Sequence, residues 1–166
     1  PKRRFYNRLG LIVSSSYLVI TLILKGITYA RFTQALEEQQ IAYTQIQTKP
    51  GPLNTILWYA NVETEDAFLI GDYSLFDSQP ITFHSFPKNH QLLGDWIQNP
   101  NIKRLIKITE NGWFTISKKD NQLYLNDLRF GLLNNDPSNP EFTFSYLLVE
   151  KNGIIYAEET KKNRAD

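Results

Sequence analysis

Leu9-Gly-Leu-Ile-Val-Ser-Ser-Ser-Tyr-Leu-Val-Ile-Thr-Leu-Ile-Leu24 carries no charge, and its reading decides the fold. As an α-helix, this run rises roughly 24 Å, a little short of the ~30 Å hydrocarbon core of a bilayer. Its flanks make up the difference. Phe5 and Tyr6 on one side and Tyr29 on the other suit the interfacial belt, and Lys25 can extend its ammonium to water. Apolar residues fall all round the helix rather than on one stripe, as a membrane span requires. Two other readings of the run stay open. A signal peptide has the same character, although no small-residue cleavage site comes after it. A buried or interface-docked helix is the other, since Ser14, Ser15 and Ser16 dilute the hydrophobicity.

Working outward, Lys2, Arg3, Arg4 and Arg8 precede the run, while only Lys25 and Arg31 come closely after it. The positive-inside tendency then puts the start in the cytoplasm and the C-terminal domain on the extracytoplasmic side. The bilayer is the partner expected for residues 9–24. From Ile27 to about Gln45 the pattern stays helical but turns polar, which reads as a stalk in water. Lys49-Pro-Gly-Pro52 stops it, because prolines flanking a glycine cannot continue a helix.

Beyond that stop the periodicity changes. Residues 54–62, 68–76 and 81–86 are aromatic and β-branched runs, the first two separated by the acidic turn Glu63-Thr-Glu-Asp66. Between Asn89 and Lys107, the spacing of Leu92, Leu93, Trp96, Ile97, Ile102, Leu105 and Ile106 predicts two short helices broken at Pro100. Residues 113–117 and 122–130 are strands joined by Lys118-Lys-Asp-Asn121. Phe142, Phe144, Tyr146 and Leu148 alternate as one buried sheet face does, and Asn152-Gly153 signals a hairpin. The expectation is an α+β fold in which an N-terminal transmembrane or docking helix precedes a mainly antiparallel sheet of six or seven strands, with one or two short helices. The domains divide as a helix over 1–27, a helical stalk over 28–48, a β-rich extramembrane domain over 49–160 and a flexible tail over 161–166.

Composition bounds the chemistry. The chain has 166 residues, no cysteine, two histidines and a net charge of +1. Disulfides, thiol catalysis and a cysteine-built zinc site are excluded, and nothing in the charge calls for a nucleic-acid partner. Methionine is absent and the chain opens on Pro1, which reads as a fragment of a longer protein. There is no glycine-rich phosphate loop and no serine elbow, and His84 and His90 fall on different predicted elements. Asn126-Asp-Leu-Arg129 is less bland, because charges in an apolar strand are costly unless paired. It is either an internal Asp–Arg and Asn network or a ligand-facing polar cluster.

Three segments carry a resemblance: Pro50-Gly-Pro-Leu-Asn-Thr-Ile-Leu-Trp-Tyr59, Gly71-Asp-Tyr-Ser-Leu-Phe-Asp77 and Leu123-Tyr-Leu-Asn-Asp-Leu-Arg-Phe-Gly131. With Phe86-Pro-Lys-Asn89 between them, they resemble the C-terminal region of the YdjM-like membrane-bound metal-dependent hydrolases of bacteria. The likeness covers most of residues 27–145. It implies a bacterial cell-membrane protein in which further membrane helices and a histidine-and-aspartate metal motif lie upstream. This sequence lacks that motif, so no catalytic residue, metal ligand or cofactor is expected within it. A divalent metal belongs to the upstream part, which is also the expected intramolecular partner. The resemblance implies an accessory domain of such a hydrolase; the alternative is a non-enzymatic, membrane-tethered binding or sensing domain. Asn54, Trp58, Asp72, Tyr73, Asn126, Asp127 and Arg129 are the candidate binding or structural residues.

Overall fold

The structure, a computed structural model, describes residues 2–51, 55–109, 112–134 and 139–160. Asn54 and the tail 161–166 lie outside the described residues. The fold is α+β. A long helix, α1 (Lys2–Glu38), precedes two antiparallel four-stranded sheets with short helices between them. Strands β1 (Gln45–Pro50), β2 (Leu57–Glu63), β3 (Ala67–Ser74) and β4 (Phe83–Pro87) form the first sheet in sequence order. A 3₁₀ segment (His90–Gln98) and α2 (Pro100–Ile108) come next. The second sheet is β5 (Phe114–Lys119), β6 (Gln122–Leu132), β7 (Phe142–Lys151) and β8 (Ile154–Glu159), again in sequence order. Among the described residues, eight strands in two sheets replace the single sheet of six or seven read from periodicity. The chain leaves β4 into the helical pair, so β5 starts a new sheet.

By contact density the chain forms two units. One comprises Pro1–Val62 and Gly71–Phe83, the other Glu63–Ile70 and His84–Asp166.

In the first unit α1 has two unlike halves. Up to Ile23 its apolar side chains stand exposed, with Leu11 67% and Leu22 68% accessible. Thr28, Phe32, Ala35 and Leu36 recur at helical spacing and are buried. The Phe32 ring meets Tyr73 edge-on at 6.1 Å and Phe83 at 6.4 Å. The segment expected to be a solvated stalk is therefore part of a core, and the helix ends seven residues earlier than expected. It closes with a Schellman cap in which Ile41 N donates to Leu36 O and Gln40 N to Glu37 O. Gln40 takes the left-handed conformation usually given to glycine, at φ 55°. The β-branched residues after it then enter β1 rather than extending the helix.

In the second unit, one cluster joins Leu93, Ile102 and Leu105 to Phe114, Ile116, Leu125, Leu148 and Ile155. Another gathers Phe68, Ile70, Phe86, Trp113, Leu128 and Phe142. The helical pair breaks where Pro100 predicts. Asn99 caps α2 by accepting from Asn101 N at 2.9 Å, with Pro100 in the first turn. Both hairpins use two-residue turns with positive φ, Asp120–Asn121 and Asn152–Gly153. Their registers close on Lys119↔Gln122 and Lys151↔Ile154. The edge of β5 is covered, because Ile116 N donates to Lys88 O and Asn89 Nδ2 donates to Ile116 O.

Candidate functional site

The candidate residues separate by unit. In the second unit, Asn126, Asp127 and Arg129 lie close together on β6 and are fully engaged in structure. Asn126 is buried and bridges three strands: its Nδ2 donates to Ser117 Oγ at 3.0 Å, and Ser145 Oγ donates to its Oδ1 at 2.7 Å. Asp127 receives the Arg129 guanidinium on both carboxylate oxygens. The pairing register breaks immediately after Asp127, resuming at Leu132↔Phe142, with Gly131 at φ 71°. Asp127 Oδ1 also accepts Arg129 N at 2.9 Å, so the carboxylate holds a backbone donor within the irregular stretch. His90 is likewise held, its ring stacked on Phe114 at 4.1 Å and its Nε2 at 2.8 Å from Phe114 O. Among the described residues no three histidine, aspartate or glutamate side chains gather as metal ligands would.

In the first unit, Trp58 is buried and donates its indole N–H to Thr55 O at 2.9 Å. Asp72 is exposed on β3. Burial pushes the Tyr59 hydroxyl pKa up, and the Asp72 charge adds to that shift. Tyr73, next along the strand, points to the other face and packs on Phe32.

Among the described candidates, Tyr73 is also the one that lines a groove. This groove, of 420 Å³, lies between α1 and the segment after β3. Arg31, Gln34, Ala35 and Glu38 form the helical wall, sharing a face by their three- and four-residue spacing. Tyr73, Leu75, Asp77, Ser78, Gln79, Pro80 and Ile81 form the other. Three contacts fix these walls. Gln39 Nε2 donates to Ile81 O at 2.9 Å, tying the loop to the helix end. Asp77 Oδ1 accepts from Gln79 N at 2.9 Å and rigidifies the turn. Gly71 lets the Phe83 ring lie against β3: a Cβ there would stand 2.8 Å from two of its ring carbons. Tyr73, Leu75 and Asp77 of the second resemblance segment thus line this wall, while Gly71 makes room for the Phe83 ring.

The groove is charged but incompletely paired. Gln34 Nε2 donates to Glu38 Oε1 at 2.8 Å, leaving Oε2 open. Arg31 is exposed and joins none of the ion pairs among the described residues. Sequence reasoning missed Arg31, Gln34 and Glu38. Their signal was the Phe32–Ala35–Leu36 stripe, which made the supposed stalk amphipathic and so gave it one buried and one polar face.

No protein-family model, curated protein or solved structure matches this chain.

Proposed function

We propose that this chain is a membrane-tethered binding domain, held on the bilayer surface by α1 and offering its groove to ligands there. One observation carries the reading. Within one uninterrupted helix the uncharged run Leu9–Leu24 stands largely exposed, and Phe32, Ala35 and Leu36 then pack into the first unit. A soluble core helix would not leave Leu11, Ile12, Leu18 and Leu22 in water, since exposed apolar area costs about 25 cal/mol per Å². The helix is long and apolar enough to cross a membrane. Without a stalk, the domain sits directly at the interface. Thr28, four residues past Leu24, is already buried, and four residues rise only about 6 Å.

The basic cluster before the run supports an extracytoplasmic domain, and a bacterial cell membrane is what the resemblance implies. The resemblance to YdjM-like hydrolases would make the domain their accessory part, binding substrate near the membrane or covering an active site whose metal lies in upstream residues. Additional hydrophobic spans and clustered histidines encoded ahead of Pro1 would favour that context, and their absence a free-standing tethered binder.

Flotation on lipid vesicles tests the tether. The full chain should float with the vesicles, and a protein starting at Gly26 should stay behind, folded and soluble without detergent. If the shortened protein unfolds instead, the helix belongs to the core and the tether fails. Because the chain has no cysteine, a Ser85→Cys variant labelled by a membrane-impermeant maleimide on intact cells reports the side directly.

A further inference from the structure

We propose that the groove beside α1 binds a short peptide with free termini, two or three residues long and lying along the helix. Arg31 takes the terminal carboxylate, and Glu38 with Asp77 takes the terminal ammonium. This names a ligand class for the groove already proposed as the binding site, and so rests on that reading.

The distance of the groove from the bilayer decides where its ligand comes from. A hydrocarbon core of ~30 Å takes about 20 helical residues, so the 16-residue apolar run extends by about two at each end, reaching Gly26. Glu38 lies a further 12 residues on, about 18 Å along the axis. The polar headgroup layer is only about 5–8 Å thick on each side. The acidic end of the groove therefore stands in water, beyond the reach of an anchored lipid, and takes a soluble ligand.

The charges decide what kind of ligand that is. Arg31 is exposed and joins none of the ion pairs among the described residues. Glu38 keeps Oε2, and Asp77 keeps Oδ2, without a hydrogen bond among those residues. One cation and two carboxylates thus line the same groove without neutralising one another. A diamine would meet Arg31 unfavourably, and a dicarboxylate would meet Glu38 and Asp77 unfavourably, so the complement is a zwitterion. A guanidinium holds a carboxylate in bidentate fashion, and an ammonium has three donors to share between two acids.

Spacing and lining decide its length and chemistry. Arg31 and Glu38 share a helical face seven residues apart, about 10.5 Å along the axis. A free amino acid is short for that span, with about 2.5 Å between its nitrogen and its carboxyl carbon. Two further residues bring the separation to about 9–10 Å. Between the charged ends, Gln34, Ser78 and Gln79 supply amide and hydroxyl groups, which suit the alternating N–H and C=O of a peptide backbone. Ala35 and Pro80 offer apolar surface to small side chains. The volume of 420 Å³ lies within the range of small-molecule sites.

The test is calorimetric titration of the full chain, in an uncharged detergent, with trialanine, its N-acetyl form, its C-terminal amide and free alanine. The parent should bind one trialanine per chain, and either acetylation or amidation should weaken binding about tenfold, one charge-assisted hydrogen bond each. Arg31→Gln should lose about tenfold for trialanine yet bind the amide as the parent does. Glu38→Gln with Asp77→Asn should in the same way become indifferent to acetylation. Half of each comparison alters the ligand alone, so the parent reports on both ends even where a variant folds poorly. Alanine bound as tightly as trialanine, or Arg31→Gln indifferent to acetylation instead of amidation, overturns the proposal. Trialanine bound equally by the parent and both variants puts the site elsewhere and overturns the groove as binding site too. Vesicle flotation of the same protein separates the tether from the ligand. A chain that floats but binds none of the four compounds overturns the peptide site alone, whereas peptide binding with the expected pairings by a chain that does not float upholds the site and overturns the tether.

Discussion

Arg129 grips Asp127 from two residues along the same strand, with Nη2 2.7 Å from Oδ2 and the Arg129 amide 2.9 Å from Oδ1. The aspartate side chain is 2% exposed and the arginine 22%, so one partner is buried and the other reaches water over the Phe130 ring. Such a pair stabilises mainly by avoiding an isolated buried charge. Both carboxylate oxygens are occupied from within the strand, which favours a structural role over a ligand-facing one.

Arg129→Ala should therefore destabilise the second unit by about 3 kcal/mol, because it strands Asp127. Replacing Asp127 and Arg129 together with leucine should cost less than the two single losses added. Denaturant unfolding of the full chain in detergent, monitored by the fluorescence of Trp96 and Trp113, measures both. An Arg129→Ala protein as stable as the parent would show that the pair is dispensable to the fold.

Phe32 separates a core helix from a stalk. It is fully buried and touches Tyr73 and Phe83, so Phe32→Ala should cost about 3–5 kcal/mol. Ile23→Ala, nine residues earlier on an exposed face, should leave unfolding of the domain unchanged in detergent. Trp58, buried in the same unit, supplies the optical signal. Equal effects from the two substitutions would return the segment to the role of stalk.

Tyr146 sets an alkaline limit. Burial pushes its hydroxyl pKa up, Glu159 and Asp127 raise it further, and Arg129 pulls part of the way back. A pKa raised in the folded state leaves that stability fully present below the unfolded value of about 10, and it is lost as pH rises through the folded value. Unfolding free energy should fall between about pH 9 and pH 11, and fall less steeply for Tyr146→Phe. Parallel slopes for the two proteins would show that Tyr146 ionises alike in both states.

Much of this protein is local and was legible as such. The uncharged run Leu9–Leu24 specifies its helix, because it holds no charge and no proline, and the Ser14 and Thr21 hydroxyls donate back to the helix's own carbonyls at Leu11 and Leu18. Asn152-Gly153 specifies its hairpin, because both positions need positive φ. Pro100 separates the 3₁₀ segment from α2 for lack of an amide donor.

Other features needed the fold. The end of α1 at Glu38 has no glycine or proline to announce it; Gln40 accepts a left-handed conformation because Ile41 and the chain beyond gain β1 and its pairing. Asn126 and Ser145 are 19 residues apart, and only the β6–β7 register makes them partners. The groove is the extreme case. Arg31 and Glu38 are spaced for one helical face by local geometry, but Asp77 and Ile81 join them only once Phe32 is buried against Tyr73 and Phe83. Periodicity assigns a side chain to a face, whereas the surroundings of that face depend on contacts between residues some forty positions apart, which no local pattern encodes.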